Sequence, residues 1–250
     1  MEEKDYQDAV CVLVSGGVDS SVLLAELAMQ YRRVFPLYIQ AGLVWEGVEL
    51  HWLKQFIAAL KSECVQELIV LSLPVTDLYG AHWSVTGEGV PGYTSALYEN
   101  YLPGRNLILL AKAAVFCALR GIHTVALAPL KENPFPDTTE AFFRACEVVV
   151  GEGLKLSWRV LTPFRHLRKA EVVRRGRMLP LALTFSCAQP VGTLHCGCCT
   201  KCAERQQGFR EAGVPDPTAY ATGEEPGWCV RSKRQKLKTS AHRALEVKCL

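Results

Sequence analysis

Ser15-Gly16-Gly17-Val18-Asp19-Ser20-Ser21 is the stretch whose residue types most directly imply chemistry. Two adjacent glycines let backbone amides approach an anion with no Cβ in the way. The hydroxyls of Ser15 and Ser20 add donors, and the apolar-periodic segment that follows would bring a positive helix end to the same point. A pyrophosphate fits such a cradle. Asp19, acceptor-only when ionised, suits Mg²⁺ or a backbone amide and not a phosphate oxygen. The stretch has neither the Gly-Lys-Ser/Thr of a Walker A loop nor the Gly-x-Gly-x-x-Gly of dinucleotide folds. An ordinary Gly-Gly turn is the bland alternative, and the strand before and helix after weigh against it.

A second concentration of chemistry lies near the other end. Of eleven cysteines, Cys187, Cys196, Cys198, Cys199 and Cys202 fall within sixteen residues. Four thiolates in two close groups, with Gly197 to allow the tight turn, are what a tetrahedral zinc site needs. Cys187, Cys196, Cys199 and Cys202 give the usual spacings, leaving Cys198 as the odd residue and His195 as a neighbour. With four protein ligands the metal is expected to be structural. Redox exchange within Cys196–Cys199 is the competing use, and the dispersed cysteines are assigned no role.

Three further loops offer polar groups. Pro103-Gly104 makes a turn that would aim Arg105, a planar cation suited to a phosphate or carboxylate, while Asn106 is placed to cap the following helix. The prolines of Asn133-Pro134-Phe135-Pro136-Asp137 hold Asp137 near another helix start, where capping and contact with substrate or metal are equally open. Lys169, in Leu167-Arg168-Lys169-Ala170-Glu171, would balance triphosphate charge or stand in solvent.

These loops need elements to position them. Apolar runs at Ala9–Val14, Val34–Ile39, Leu68–Leu73, Thr124–Ala128 and Leu156–Leu161 alternate with helical spacing at Ser20–Tyr31, Val48–Leu60, Asn106–Arg120, Thr138–Val150 and Arg168–Arg177. That order predicts a doubly wound, mainly parallel Rossmann-like α/β sheet with the site beyond the carboxyl ends of its strands. The expected divisions are 1–183 as the ATP-binding α/β domain, 184–222 as a helical zinc-knuckle segment packed on it, and 223–250 as a basic, flexible tail.

The 250 residues are 49% hydrophobic, enough for a sizeable core, and no run is long enough to span a bilayer. The start at Met1–Asp8 is acidic, unlike a signal peptide, so a cytoplasmic protein is expected. Net charge is +3, but residues 231–250 alone carry +6, leaving −3 on the body. No nucleic-acid-binding body is implied, and the basic Ser232–Lys238 reads as a solvated terminus before an RNA contact.

Ser-Gly-Gly-Val-Asp-Ser resembles the signature of the pyrophosphate-loop ATPases, which cleave ATP between the α and β phosphates to adenylate a substrate. Leu-Pro-Gly-Arg-Asn, Pro136-Asp137, Thr162-Pro163, Lys-Ala-Glu-Val-Val, Phe185-Ser186-Cys187, Cys-Gly-x-Cys-x-x-Cys and Asp216-Pro217-Thr218 together resemble the 7-cyano-7-deazaguanine synthase family from about Val10 to Tyr220. The resemblance implies an adenine-nucleotide α-hydrolase type of fold. It implies ATP, Mg²⁺ and Zn²⁺ as cofactors, and a small-molecule acid, 7-carboxy-7-deazaguanine, as partner with ammonia. It also implies successive adenylations that give an amide and then a nitrile. Ser15, Gly16, Gly17, Val18, Asp19, Ser20 and Ser21 would hold ATP, and Asp19, Lys169, Arg105 and Asp137 would serve catalysis. A homodimer is compatible with this, whereas membrane contact is not expected. The chain departs from the family's Asp-Tyr-Gly-Gln segment with Gln40-Ala41-Gly42-Leu43-Val44-Trp45-Glu46. Here Leu43, Val44 and Trp45 would wall the acid, Gln40 or Glu46 would read its edge and Arg105 would meet its carboxylate, with packing of Trp45 under the next helix as the alternative. That departure leaves open a family member that acts on another acid or a protein, or stops at the amide. A tRNA-modifying enzyme of the same ATPase class and a non-enzymatic nucleotide-binding regulator are the other function classes.

Overall fold

A computed structural model describes residues 7–221. The elements run β1 (Gln7–Leu13), α1 (Val18–Leu27), β2 (Tyr31–Gln40), α2 (Glu46–Leu60), β3 (Ile69–Ser72), the one-turn helices α3 (Thr76–Tyr79) and α4 (Trp83–Thr86), and α5 (Arg105–Ala118). They continue with β4 (Thr124–Ala126), α6 (Glu140–Leu154), β5 (Arg159–Leu161), α7 (Lys169–Arg175) and α8 (Thr200–Ala212). The five strands form one sheet in the order β3-β2-β1-β4-β5, with every pairing parallel. The chain winds outward from β1 through β2 to β3 and then returns to β4 on the other side of β1. This is the doubly wound architecture expected, and the reversal opens a crevice beyond the carboxyl ends of β1 and β4. Ser15 follows β1, so the phosphate loop lies at that crevice.

β1 is apolar without alternation because it is covered on both faces. Val10 and Val12 face the layer built by α1, α2 and α7, where Val22, Leu23, Leu53, Phe164 and Val172 pack. Cys11 faces the layer of α5 and α6 with Leu37, Leu110, Phe116 and Phe143. The dispersed Cys11, Cys117 and Cys146 are thus small core residues. Among the described residues no helix is long and apolar enough to cross a membrane. The proposed tail 223–250, with Ser232–Lys238, Cys229 and Cys249, lies outside the described residues, as do Met1–Tyr6 of the acidic start.

The bounds of two elements depart from the sequence expectation. β5 is only Arg159–Leu161, and Trp158 just before it packs into the α5–α6 core. α8 falls within the 184–222 segment expected to be helical, but the sequence pattern gives the helix no bounds. Its buried face consists of Thr200, Cys202, Arg205, Gly208 and Phe209, so it has no apolar stripe for periodicity to detect. Arg205 is completely buried there. Its Nη1 donates to Thr184 Oγ1 at 2.9 Å, its Nη2 to the Leu181 carbonyl at 3.1 Å and its Nε to Thr218 Oγ1 at 2.6 Å. Asp216 in turn accepts from the Thr218 amide and the Tyr220 hydroxyl, so Asp-Pro-Thr serves to seat a buried arginine.

Candidate functional site

The phosphate loop holds its shape through its own hydroxyls. The Ser15 amide donates to Ser20 Oγ at 3.1 Å, the Gly17 amide to Ser15 Oγ at 3.4 Å, and Ser20 Oγ lies 3.2 Å from Ser15 Oγ. Gly16 has φ +75°, and a Cβ there would stand 3.0 Å from the Glu49 carbonyl oxygen, so both conformation and space demand glycine. The Gly16 carbonyl accepts from the Phe185 amide at 2.7 Å, which fastens the Phe-Ser-Cys segment to the loop. Gly17 caps α1, and the first turn of that helix contains Asp19. Ser21 is fully buried with an unpartnered hydroxyl, so its side chain stands apart from the cradle.

Asp19 and Lys169, 150 residues apart, form an ion pair at 2.7 Å beside the loop. Lys169 Nζ also lies 3.7 Å from Glu204, which pairs with Lys201 at 3.2 Å. Gly208 makes this reach feasible, since a Cβ there would fall 2.4 Å from Lys169 Cγ. Burial pushes the Asp19 carboxyl up from its ordinary value, with the Lys169 charge opposing. For Lys169 burial acts downward, and the Asp19 and Glu204 carboxylates outweigh it and hold its pKa above the lysine range. Burial would raise Glu204 too, but Lys201 and Lys169 hold it down at about 2. A triphosphate in the cradle would therefore meet Lys169 already shared between two carboxylates. Asp19 keeps one oxygen, Oδ1, without a partner.

Beyond the loop opens a cleft of about 260 Å³ lined by Ser15, Tyr38, Glu49, Asn100, Tyr101, Arg105, Asn133, Phe135, Asp137 and Lys201, among others. Arg105 begins α5 after Gly104, a left-handed residue. Its Nε is buried without a partner, and no carboxylate of the described residues pairs with it. Asp137 does not cap its own helix. Thr139 caps α6, accepting from the Phe142 amide, while Asp137 Oδ2 accepts the Asn106 amide at 3.0 Å. Asn106 is likewise not a cap, and its side chain donates to the Asp137 carbonyl at 3.0 Å. The two residues tie the 135–138 loop to the start of α5 and so fix Arg105.

Three cleft residues, Tyr38, Glu49 and Asn100, carry no sequence signature. Tyr38 sits in an apolar strand, Glu49 looks like an ordinary acidic residue in a helix's first turn, and Asn100 lies in an irregular stretch. In the structure the Tyr38 hydroxyl donates to Glu49 Oε2 at 2.9 Å. Burial pushes the Glu49 carboxyl up to about 8, against the pull of Arg105 and of the Tyr38 hydrogen bond.

The 40–46 loop is arranged differently from its expected role. Glu46 is buried, its Oε1 accepting the Ala41 amide at 2.8 Å and its Oε2 the Gly42 amide at 2.9 Å. Both oxygens thus hold the loop's own backbone. Trp45 stacks on Trp83 with ring centroids 5.6 Å apart and is 6% exposed. Neither Trp45, Glu46 nor Gln40 lines the cleft, although Ala41 does.

At the far side, the sulfurs of Cys187, Cys196, Cys199 and Cys202 all lie within 4.8 Å of one another and are buried. Cys187 to Cys199 is 3.9 Å and Cys196 to Cys202 is 3.8 Å. A tetrahedron of thiolates about 2.3 Å from a central ion has edges of about 3.8 Å, so the four fit a metal such as zinc. Backbone amides point at the sulfurs as they would at thiolates: Ala188 and the four positions Gln189, Cys196, Cys198 and Cys199 donate to them. Cys198 itself is outside the cluster. So is His195, whose Nε2 accepts the Ser186 amide and whose pKa burial lowers to about 3.

The family model of the queuosine biosynthesis protein QueC matches residues 9–213, which contain both the loop and the four cysteines. The chain belongs to the QueC family. A 7-cyano-7-deazaguanine synthase of Syntrophobacter fumaroxidans is 31% identical over 87% of this chain and 98% of its own. One of Geobacter metallireducens is 31% identical over 86% and 94%. Among solved structures, the U34-tRNA thiolase NcsA of Methanococcus maripaludis is 13% identical over 98% of this chain and 77% of its own, with a TM-score of 0.46.

Proposed function

We propose that the chain adenylates 7-carboxy-7-deazaguanine, or a closely related acid, with ATP and passes it to ammonia to form the amide and then the nitrile. The observation that carries this reading is a single cleft lined both by Ser15 of the phosphate loop and by Arg105, which makes no salt bridge among the described residues and keeps its Nε without a partner there. Membership in a family whose relatives are named 7-cyano-7-deazaguanine synthase supplies the substrate class.

In this mechanism the Gly16, Gly17 and Val18 amides and the Ser15 and Ser20 hydroxyls hold the phosphates, with the positive end of α1 behind them. Asp19 Oδ1, without a partner among the described residues, would hold Mg²⁺, which would neutralise phosphate charge. Arg105 binds the acid's carboxylate and aims one oxygen at the α-phosphate, so that the acyl–O–P bond forms as pyrophosphate leaves. Lys169 meets the departing pyrophosphate. Ammonia attacks the acyl carbon, AMP leaves, and the amide oxygen is adenylated in its turn. Loss of that second AMP with the amide protons leaves the nitrile. Asp137 acts through the placement of Arg105. The four-cysteine site, holding zinc, fixes the start of α8 and hence Lys201 and Glu204. A cytoplasmic location accords with such chemistry.

The test is to incubate the protein with ATP, Mg²⁺, ammonia and the acid, and to weigh the products. Acid-dependent AMP with amide or nitrile is expected, and no acid-dependent AMP would overturn the proposal. Metal analysis should give one zinc per chain, retained in Cys198→Ser and lost in Cys199→Ser.

A further inference from the structure

Asn100 closes a short 3₁₀ turn, Leu97–Asn100, at the end of the excursion between β3 and α5. It lines the cleft and is 7% exposed, yet neither its Oδ1 nor its Nδ2 has a hydrogen-bond partner among the described residues. Leaving both halves of a buried amide unpaired is costly, and most buried polar side chains find partners. Both amide atoms are buried beside the cleft, and a change of rotamer that presents them to it would break no hydrogen bond. Whichever way the amide is oriented, it offers one donor and one acceptor side by side.

The surroundings narrow what such a pair would meet. Tyr101 stacks on Phe135 with centroids 5.3 Å apart and planes at 20°, and both rings line the same cleft. That gives a flat apolar wall next to the amide, suited to a planar ring. Glu49 adds a buried carboxyl group to the lining. A ring with a carbonyl acceptor next to an N–H donor would pair with both halves of the amide at once. The geometry points to Asn100 as the residue that reads the carbonyl and adjoining N–H edge of the heterocyclic acid, setting which ring the cleft accepts. This rests on the proposed function for the class of acid, and it replaces Gln40 and Glu46 as the readers of that edge.

The experiment is calorimetric binding of two probes, 7-carboxy-7-deazaguanine and its analogue lacking the ring carbonyl oxygen, to wild type, Asn100→Ala and Asn100→Ser. Wild type should bind the complete acid about ten- to a hundredfold more tightly than the analogue. Asn100→Ala should bind the complete acid more weakly by the same factor and lose the preference, while its affinity for ATP stays within about twofold. Its melting temperature should hold or rise, because an unpartnered amide is being removed. A purely structural asparagine would show the reverse pattern, with stability lost and preference kept. Unchanged affinity and preference in Asn100→Ala and Asn100→Ser would overturn the role of Asn100 alone. If the variants do not fold, equal binding of the two probes by wild type overturns it. Failure of wild type to bind either probe while ATP still binds would overturn the substrate class, and the inference with it.

Discussion

The two ends of the cleft are built on opposite plans. At the phosphate end, seven consecutive residues form a loop whose Ser15 and Ser20 hydroxyls already satisfy one another and the backbone. At the other end Glu49, Asn100 and Arg105 arrive from three separate segments, and two of them keep buried polar atoms with no partner. A phosphate is bound well by any correctly shaped set of amides at a helix start, so that end can be finished before the ligand arrives. A base edge is distinguished only by groups that remain unpaired in the wrong complex. One end is set for affinity and the other for choice.

The largest effects should come from the finished end. Ser15→Ala and Asp19→Asn are expected to reduce acid-dependent AMP formation about 10²- to 10³-fold with the fold retained, because neither side chain belongs to the apolar core and the asparagine keeps an oxygen toward Lys169. AMP release at near the wild-type rate, with unchanged melting temperature, would remove the loop from the chemistry.

Next comes a pH effect at the unfinished end. Glu49, with its ordinary value of 4.5 raised to about 8, holds its proton more tightly in the folded chain than in the unfolded one. Its contribution is therefore complete below about pH 4.5 and is lost as pH rises through about 8, a decline on the order of 5 kcal/mol. Denaturant unfolding between about pH 6.5 and pH 8, above the range where the lowered His195 imidazole gives the opposite slope, should show that decline, and Glu49→Gln should reduce it. Glu204, held at about 2, titrates below this window. A wild-type profile with no slope would mean that Glu49 is not the buried acid described here.

Arg105→Ala should raise KM for the acid about a hundredfold, near 3 kcal/mol, and leave KM for ATP unchanged. An increase in KM for ATP would instead assign Arg105 to the phosphate end, and the division between the two ends would fail.

How far each end is legible from residues alone follows from the same difference. Ser15–Ser21 is contiguous and its conformation is local, so glycines, hydroxyls and a strand–helix junction suffice to expose it. The four cysteines are nearly as local, and thiolate spacing reveals them. The parallel sheet is legible because its strands are apolar on both faces. Asn100 and Glu49 acquire meaning only when the switch in strand order brings their segments to one crevice. Asp137 shows the same limit. Beside a helix start it reads as that helix's cap, and only the tertiary structure shows it holding the amide of Asn106, 31 residues away. The bounds of α8 are hidden for a further reason, since its buried face mixes Thr200, Cys202, Arg205, Gly208 and Phe209, and only tertiary hydrogen bonds make the arginine acceptable there.

The smallest effect is expected where sequence placed the acid pocket. Glu46 holds the Ala41 and Gly42 amides with its two oxygens, and Trp45 before it is stacked on Trp83. Glu46→Gln keeps the shape and one acceptor but sets an NH₂ against an amide N–H, so it should cost about 1–2 kcal/mol of stability. Ala41 lines the cleft while Glu46 and Trp45 do not, so the acid should notice only a slight movement of that backbone. KM for the acid in Glu46→Gln should stay within about twofold of wild type. Trp45→Phe keeps a ring against Trp83 and should behave alike. A tenfold rise in KM for the acid at unchanged melting temperature in either variant would return the 40–46 loop to the pocket. The specific end of the cleft would then extend from Asn100 across to Trp45.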